Sequence, residues 1–449
     1  MAGKKIQAQL TPEEKLQQAL VPEAEQSYKI PANWCWTRLG NVTNIIMGQS
    51  PNGGSITENE KDTPLIGGAA DMGEKYPEIK RYTNKPTKIS SDEDLIICVR
   101  ATLGKPIFSD GRYCLGRGVA AIRPLVGSRK LYKYFFLNFE QYLFDNATGT
   151  TFAQVNSNIL QKMPLALPPL AEQQRIVERI ESLFAKLDEA KENLQNVLDG
   201  FETRKAAILH KAFTGELTAK WRKQHVVSIE SWGSVKVSNL CENIVCGKTP
   251  TSYIDNNGDI PYLKVYNIVN NKIDFDSKPQ YIPKKIHESK LKSSILKPKD
   301  VIMNIVGPPL RKIAIIPDTY PEWNMNQAIV RFRTKEKLYY KYLYYYLIYP
   351  KTLDDIICET KGVVGQANIS ITQSRNLNIN LPTFSEQTEI VRIIDELFVK
   401  EQQAKELAEN TLAKIDLIKK SILARAFRGE LGTNNPADEP AVELLKRVL

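Results

Sequence analysis

Apolar residues recur at alternating steps of four and three in two long stretches of the chain. The first stretch carries them at Ile176, Ile180, Leu183, Leu187, Ala190, Leu194, Val197 and Phe201. The second, with two interruptions, carries them at Ile390, Ile394, Leu397, Ala404, Ala408, Ile415, Ile418 and Ile422. This heptad spacing predicts two helices of about 40 residues, each ~60 Å long, that pair through an apolar seam. We expect antiparallel pairing within one chain; the alternative is that the seams pair two copies of the chain.

Each predicted helix lies inside a duplicated segment. Residues 167–217 and 381–431 align without a gap and share nearly half of their residues. Both copies open with Leu-Pro-x-x-x-Glu-Gln-x-x-Ile-Val and close with Ala-Phe-x-Gly-Glu-Leu. Gly215 and Gly429 in the closing motif are typical helix stops.

Short apolar runs separated by turn residues precede each helix and predict β-strands. The order of these runs is similar in both halves; residues 44–51, for example, resemble residues 243–250. The expected fold class is therefore mixed α+β, with two similar globular domains joined by two long antiparallel helices with pseudo-twofold symmetry. The predicted segments are an N-terminal arm at 1–29, a first domain at 30–168, a central helical spacer at 169–219, a second domain at 220–382, a distal helical spacer at 383–432 and a C-terminal tail at 433–449.

Composition narrows the class of partner. The 449 residues carry a net charge of +10, which fits a polyanionic partner such as nucleic acid or, equally, a merely basic protein. Six scattered cysteines form no C-x-x-C pair and three histidines form no ligand cluster, so we expect reduced thiols, no metal site and a cytoplasmic location. The N-terminus lacks the apolar core of a signal peptide, and no run is long enough to span a membrane.

Catalytic motifs are missing from the sequence. There is no Asn-Pro-Pro-aromatic loop of the kind that adenine methyltransferases need. The run Gly247-Lys248-Thr249 resembles the end of a phosphate-binding loop, but position 242 is Glu where that loop requires glycine. We therefore predict a binding protein with no catalytic residue and no cofactor.

The duplicated motifs, the N-terminal Leu-x-Gln-Ala-Leu-Val-Pro at 16–22 and the terminal stretch at 438–448 resemble the specificity subunits of type I restriction-modification systems. The resemblance implies two target recognition domains that each read one half of a bipartite site in double-stranded DNA. It implies that the helices set the unread spacer and dock two adenine methyltransferase subunits, which a restriction subunit can join. Methyl transfer would then take place on the partner.

Polar residues on the loops of the two domains are the candidates for DNA contact, because arginine, lysine, asparagine and glutamine read base edges. The first domain offers Gln49, Ser50, Arg100, Lys105 and Arg117; the second offers Lys248, Thr249, Lys264, Tyr266, Asn267, Arg311, Lys312, Asn324, Asn326 and Gln327. The competing interpretation of each is an ordinary solvated loop side chain or a turn hydrogen bond. For the whole chain, the alternatives are an autonomous site-specific nuclease or methyltransferase, and a coiled-coil scaffold without a DNA role.

Overall fold

The computed structural model describes residues 11–92, 94–149, 152–253, 258–360 and 368–449, less the side chains at 355 and 358–360. The first ten residues of the predicted N-terminal arm lie outside the described residues. The chain forms two compact units, Met1–Leu194 with Asn410–Leu449, and Gln195–Glu409. Each unit contains one α+β domain and a segment of each long helix.

The first unit begins with a short helix and continues into a β-rich domain. Its elements are α1 (Pro12–Ala19), β1 (Cys35–Arg38), α2 (Leu39–Val42), β2 (Thr43–Met47), β3 (Ile56–Thr57), β4 (Thr63–Ile66), β5 (Tyr82–Thr83), β6 (Leu95–Cys98), β7 (Gly104–Phe108), β8 (Cys114–Leu115), β9 (Val119–Pro124), α3 (Arg129–Asn138), α4 (Glu140–Asp145), α5 (Ser157–Lys162), β10 (Pro164–Leu167) and α6 (Leu170–Asp199), the last of which extends into the second unit.

The second unit repeats this succession of elements. It contains α7 (Phe201–Phe213), α8 (Ala219–His225), β11 (Gly233–Lys236), α9 (Val237–Leu240), β12 (Cys241–Cys246), β13 (Ile260–Leu263), β14 (Ile268–Val269), β15 (Lys272–Ile273), β16 (Tyr281–Ile282), α10 (Lys284–Glu288), β17 (Val301–Asn304), β18 (Ile313–Ile315), β19 (Asn324–Met325), β20 (Ile329–Thr334), α11 (Tyr340–Ile348), α12 (Pro350–Thr360), α13 (Ile371–Arg375), β21 (Asn378–Leu381) and the start of α14 (Phe384–Phe427). The end of α14 and helix α15 (Ala441–Lys446) belong to the first unit.

Strand order is the same in the two domains. The main sheet is antiparallel, in the order β2-β9-β6-β7 in the first domain and β12-β20-β17-β18 in the second. A second sheet contains β5-β4-β8 in the first domain and β16-β13-β19 in the second, with a parallel pair, β4 with β8 or β13 with β19, in each. The expectation of two similar α+β domains is confirmed.

The main sheet is buried on both faces. Successive side chains of a strand point to opposite sides, and both sets are covered by other elements. Leu95 and Ile97 of β6 pack against the helices, while Ile96 packs toward the second sheet. In the second domain Val301 and Ile302 of β17 divide in the same way. This double burial fixes the loops at the strand ends.

The long helices begin and end as the duplicated motifs predict. Only Gly200 separates α6 from α7; its N–H donates to the Asn196 carbonyl at 3.1 Å and its carbonyl accepts from the Arg204 N–H at 2.9 Å, so the helical hydrogen bonding continues through it. Gly215 and Gly429 have φ values of +82° and +74°. Glycine adopts this left-handed conformation readily, which explains its place at both helix ends.

Helix segments pair antiparallel inside each unit. In the first unit, Asp188 of α6 bonds Lys419 at 2.5 Å, whereas Arg175, earlier in α6, donates to the carbonyl of Thr433 at 2.9 Å. In the second unit, Phe201 of α7 lies against Lys405 and Arg204 against Glu401, so α7 runs antiparallel to the first half of α14. The expected antiparallel arrangement is confirmed for each segment pair.

The seam of α14 differs from its prediction. Ala404 and Ile418 were expected in it but are exposed, and three charged residues face the partner helix instead. A pattern that counts only apolar residues misses these positions, because each charged group contacts an ion-pair partner or an aromatic ring across the seam. The contacts are Glu401 with Arg204 at 2.8 Å, the Lys405 ammonium 4.9 Å from the Phe201 ring centre, and the Lys419 ammonium 5.1 Å from the Phe184 ring centre.

The glutamate of the duplicated Glu-Gln pair fixes the start of each long helix through hydrogen bonds to residues far away in the chain. Glu386 and Glu172 are both fully buried. The Glu386 carboxylate accepts hydrogen bonds from Arg222 at 2.7 Å, Thr218 at 2.8 Å and Trp232 at 3.0 Å. The Glu172 carboxylate accepts from Trp34 at 2.7 Å, Asn434 at 2.8 Å and Thr433 at 3.1 Å. One carboxylate is thus paired with a guanidinium, and the other bonds neutral donors among the described residues.

Candidate nucleic-acid interface

Three loops of the first domain meet at one end of its two sheets. They follow β2, β4 and β8, and we call residues 48–50, 67–68 and 116–118 loop cluster 1. Three backbone hydrogen bonds join the loops: Gly48 N–H to Val119 O at 3.0 Å, Gln49 N–H to Leu115 O at 2.8 Å, and Gly116 N–H to Ile66 O at 2.8 Å.

The second domain repeats this pattern of backbone hydrogen bonds, which we call the backbone frame, in the loops after β12, β13 and β19. We call residues 247–249, 264–267 and 326–328 loop cluster 2. Its bonds are Gly247 N–H to Ile329 O at 3.0 Å, Lys248 N–H to Met325 O at 3.2 Å, and Asn326 N–H to Leu263 O at 3.0 Å. These matched bonds make Gln49, Ser50 and Arg117 the counterparts of Lys248, Thr249 and Gln327.

A glycine at the start of each cluster makes this close approach possible. A Cβ on Gly48 would lie 2.1 Å from the carbonyl oxygen of Gly116, and a Cβ on Gly247 would lie 2.1 Å from that of Asn326. Any other residue would separate the loops. The glycine therefore allows the close backbone contact between the loops, and the residues after it provide the exposed side chains.

Loop cluster 1 brings together three of the predicted contact residues. Gln49, Ser50 and Arg117 are all exposed. The Ser50 hydroxyl accepts from the Arg117 backbone N–H at 3.2 Å. Within the part of the chain that the structure describes, the Arg117 guanidinium forms no hydrogen bond or ion pair. It is free to bind acceptors from outside the chain.

Loop cluster 2 brings together more of the predicted residues. Lys248, Thr249 and Gln327 are exposed, and the Thr249 hydroxyl donates to Oε1 of Gln327. The Lys264 ammonium lies 4.6 Å from the ring centre of Tyr253 and 6.0 Å from that of Tyr266. Such cation–aromatic contacts hold the ammonium at the surface while keeping its charge available.

A buried tyrosine supports loop cluster 2 from below. The Tyr262 hydroxyl donates to the Lys248 carbonyl at 2.9 Å. Burial raises the pKa of Tyr262 above its ordinary value, so the hydroxyl stays protonated and remains a donor. The roles of Tyr262 and Tyr253 are not predictable from the sequence, because tyrosine in a strand or loop has many ordinary roles.

Two predicted contact residues lie in the interior. The Asn267 side chain is 1% exposed; it accepts from the Lys264 N–H at 3.0 Å and donates to the Asp274 carbonyl at 3.1 Å. Asp71 caps the equivalent turn of the first domain by accepting from the Gly67 N–H at 2.7 Å. Asn324 is fully buried, and its amide is bonded within the domain. The structure gives both asparagines supporting roles.

Four further cations among the predicted residues bond their own chain. Lys105 and Lys312 donate hydrogen bonds to carbonyls of the turns after β4 and β13. Arg100 donates to a glutamine side chain, and Arg311 contacts residues of α12. The bonds are Lys105 to Met72 O at 2.8 Å, Lys312 to Val265 O at 3.4 Å, Arg100 to Gln154 Oε1 at 2.9 Å and Arg311 to Pro350 O at 3.1 Å, with an ion pair to Asp354. Asn326 lies in loop cluster 2 with a half-buried side chain.

Other kinds of site find no support within the described ranges. No group of three or more histidine, cysteine, aspartate or glutamate side chains is placed to hold a metal ion. Across the same residues, no helix has the length and apolar character to cross a membrane.

Comparisons with known proteins agree with a DNA interface. Residues 31–199 and 229–410 match the family model described as the type I restriction modification DNA specificity domain. The chain is 26% identical over 365 residues to the EcoBI type I restriction enzyme specificity subunit of Escherichia coli, covering 78% of this chain and 76% of that protein. It is 24% identical over 444 residues to the EcoKI specificity subunit of Escherichia coli strain K12, covering 92% of each. The fold matches the crystal structure of the HsdS subunit from Thermoanaerobacter tengcongensis, with a TM-score of 0.65 at 19% identity over 91% of this chain and 100% of that one.

Proposed function

Because the chain belongs to the family of type I restriction-modification DNA specificity domains, we propose that its two domains each read one half of a bipartite DNA site. The observation that carries the proposal is the pair of loop clusters, which share one backbone frame but present different side chains. A shared frame fits the same kind of ligand twice, and different side chains fit two different sequences.

Electrostatics support DNA as the ligand. The chain carries a net charge of +10, and both clusters present exposed cations, Arg117 in the first and Lys248 in the second. Cations placed on phosphates release condensed counterions and give binding that weakens as salt rises. A DNA ligand also fits a cytoplasmic location.

The long helices are proposed to set the spacer and to dock two methyltransferase subunits, which restriction subunits can join. Support for docking comes from the first residues of α6 and α14. Leu170 and Phe384 occupy the same place in the duplicated segment, and each is 51% exposed although apolar. An exposed apolar side chain that occurs twice at equivalent places fits one partner that binds twice.

The chain itself is proposed to be non-catalytic, a specificity subunit that directs the chemistry of its partners. Purified full-length chain, incubated with DNA, magnesium and S-adenosylmethionine, should transfer no methyl groups and cut no DNA. Adding the methyltransferase subunit should start methylation at defined adenines. Incorporation of methyl groups, or cleavage, by the chain alone at a level that tracks its concentration would overturn the proposal.

A further inference from the structure

We infer that Arg117 and Gln327 are equivalent base-reading positions, and that Arg117 takes a guanine while Gln327 takes an adenine. The inference rests on the proposed function and adds the bases to it. Its starting point is the matched backbone bonding of the two loop clusters, which assigns the two residues to the same place in their domains.

The backbone of Arg117 is held firmly on both sides. Its own N–H donates to the Ser50 hydroxyl at 3.2 Å. The carbonyl of the next residue, Gly118, accepts from the Val99 N–H at 2.9 Å. A Cβ on Gly118 would lie 2.3 Å from the Gly67 carbonyl oxygen, so this side of the loop packs backbone against backbone. The side chain therefore projects from a fixed point, as a base-reading group must.

The chemistry of the guanidinium selects its ligand. It offers a planar fork of donors and no acceptor. In the major groove this fork matches the O6 and N7 acceptors of guanine, the commonest specific contact of arginine. Phosphate oxygens match it too, so the counterpart in the second domain decides between the two.

That counterpart is neutral. A phosphate contact common to both domains would keep a cation at this position, but loop cluster 2 has Gln327 there. The Thr249 hydroxyl donates to Oε1 of Gln327, an exposed residue whose amide nitrogen has no hydrogen-bond partner among the described residues. An unpartnered amide N–H, with one acceptor lone pair still open on Oε1, matches N7 and N6 of adenine.

The neighbouring position shows the reverse exchange. The first domain has an amide at Gln49 and a cation at Arg117, whereas the second has a cation at Lys248 and an amide at Gln327. Each cluster thus carries one cation and one amide on the same two backbone positions, in opposite order. This exchange is expected of two domains that distinguish guanine from adenine at neighbouring base pairs. It is not expected of two domains that only neutralise phosphates.

The test is a map of methylated sites in cells that express the full chain with its methyltransferase subunit. Arg117→Gln should replace a guanine preference by adenine, or relax it, at one position of one half-site, by about tenfold or more. Gln327→Arg should shift an adenine toward guanine at one position of the other half-site. Arg112→Gln, an exposed arginine at the opposite end of β8, is the matched control and should leave both half-sites unchanged.

The outcomes separate the inference from the function beneath it. A wild-type map without two half-sites would overturn the proposed function. A two-part wild-type site that Arg117→Gln and Gln327→Arg both leave unchanged in sequence would overturn only the inference. One further result would also overturn only the inference. An Arg117→Gln variant that circular dichroism shows to be folded could bind every DNA sequence more weakly by the same factor, with a salt slope of binding lower by about one. A phosphate contact behaves in this way.

Discussion

Glu386→Gln should destabilise the second unit by about 3–5 kcal/mol, whereas the equivalent Glu172→Gln should cost the first unit only about 1–2 kcal/mol. Both carboxylates are fully buried, but Glu386 is paired with Arg222, whose side chain is 10% exposed. An amide there leaves the guanidinium uncompensated and turns an N–H toward other donors. Glu172 bonds neutral donors, so its replacement weakens hydrogen bonds without leaving a buried charge.

Hydrogen exchange of the full-length chain, followed peptide by peptide, measures the free energy of opening in each unit separately. The double variant Glu386→Gln with Arg222→Met provides the control, since removing both charges should recover part of the loss. Equal losses in Glu386→Gln and Glu172→Gln would contradict the role given to the buried cation.

Lengthening both long helices should move the two half-sites apart in the preferred DNA target. Phe201 faces Lys405 in the second unit, so four residues inserted after Gly200 and four after Lys405 keep the antiparallel pairing in step. The insertion adds about 6 Å and retains most of the seam's facing, although it locally unwinds the supercoil. At ~3.4 Å per base pair, the preferred spacer should lengthen by about one or two base pairs.

Methylation mapping of the insertion variant, with the methyltransferase subunit present, reads the spacer directly. The half-site sequences should stay the same, because no residue of loop cluster 1 or 2 changes. A variant with four residues replaced, rather than inserted, at each place controls for composition. An unchanged spacer with full methylation would show that the helices serve for docking and do not set the distance.

The sequence predicted the architecture because the duplicated segments are long and periodic. Tertiary contacts decide which residues of α14 lie in the seam, and these contacts are not visible in the sequence pattern. The seam of α14 accepts Lys405 because its ammonium lies against the Phe201 ring, a contact that no count of apolar positions reveals. The hydrogen bonds of the buried Glu172 and Glu386 explain why glutamate is repeated in the Glu-Gln motif, and their partners lie far away in the chain.

The candidate site was predictable only in part. Gln49 and Lys248 follow similar short motifs, and the structure places them at equivalent positions. Asn267 has the side-chain chemistry of a base reader, yet its amide caps a turn, and sequence alone does not distinguish these uses. The correspondence of Arg117 with Gln327 rests on backbone hydrogen bonds, which different side chains leave unchanged.

Two separate domains, built on one backbone frame, are proposed to read two different half-sites. The most direct measurement is a map of methylated adenines in cells that express the wild-type chain with its methyltransferase subunit. We expect one bipartite motif, with two unlike half-sites separated by a fixed number of unread base pairs. A single uninterrupted motif, or a motif with two identical half-sites, would contradict it.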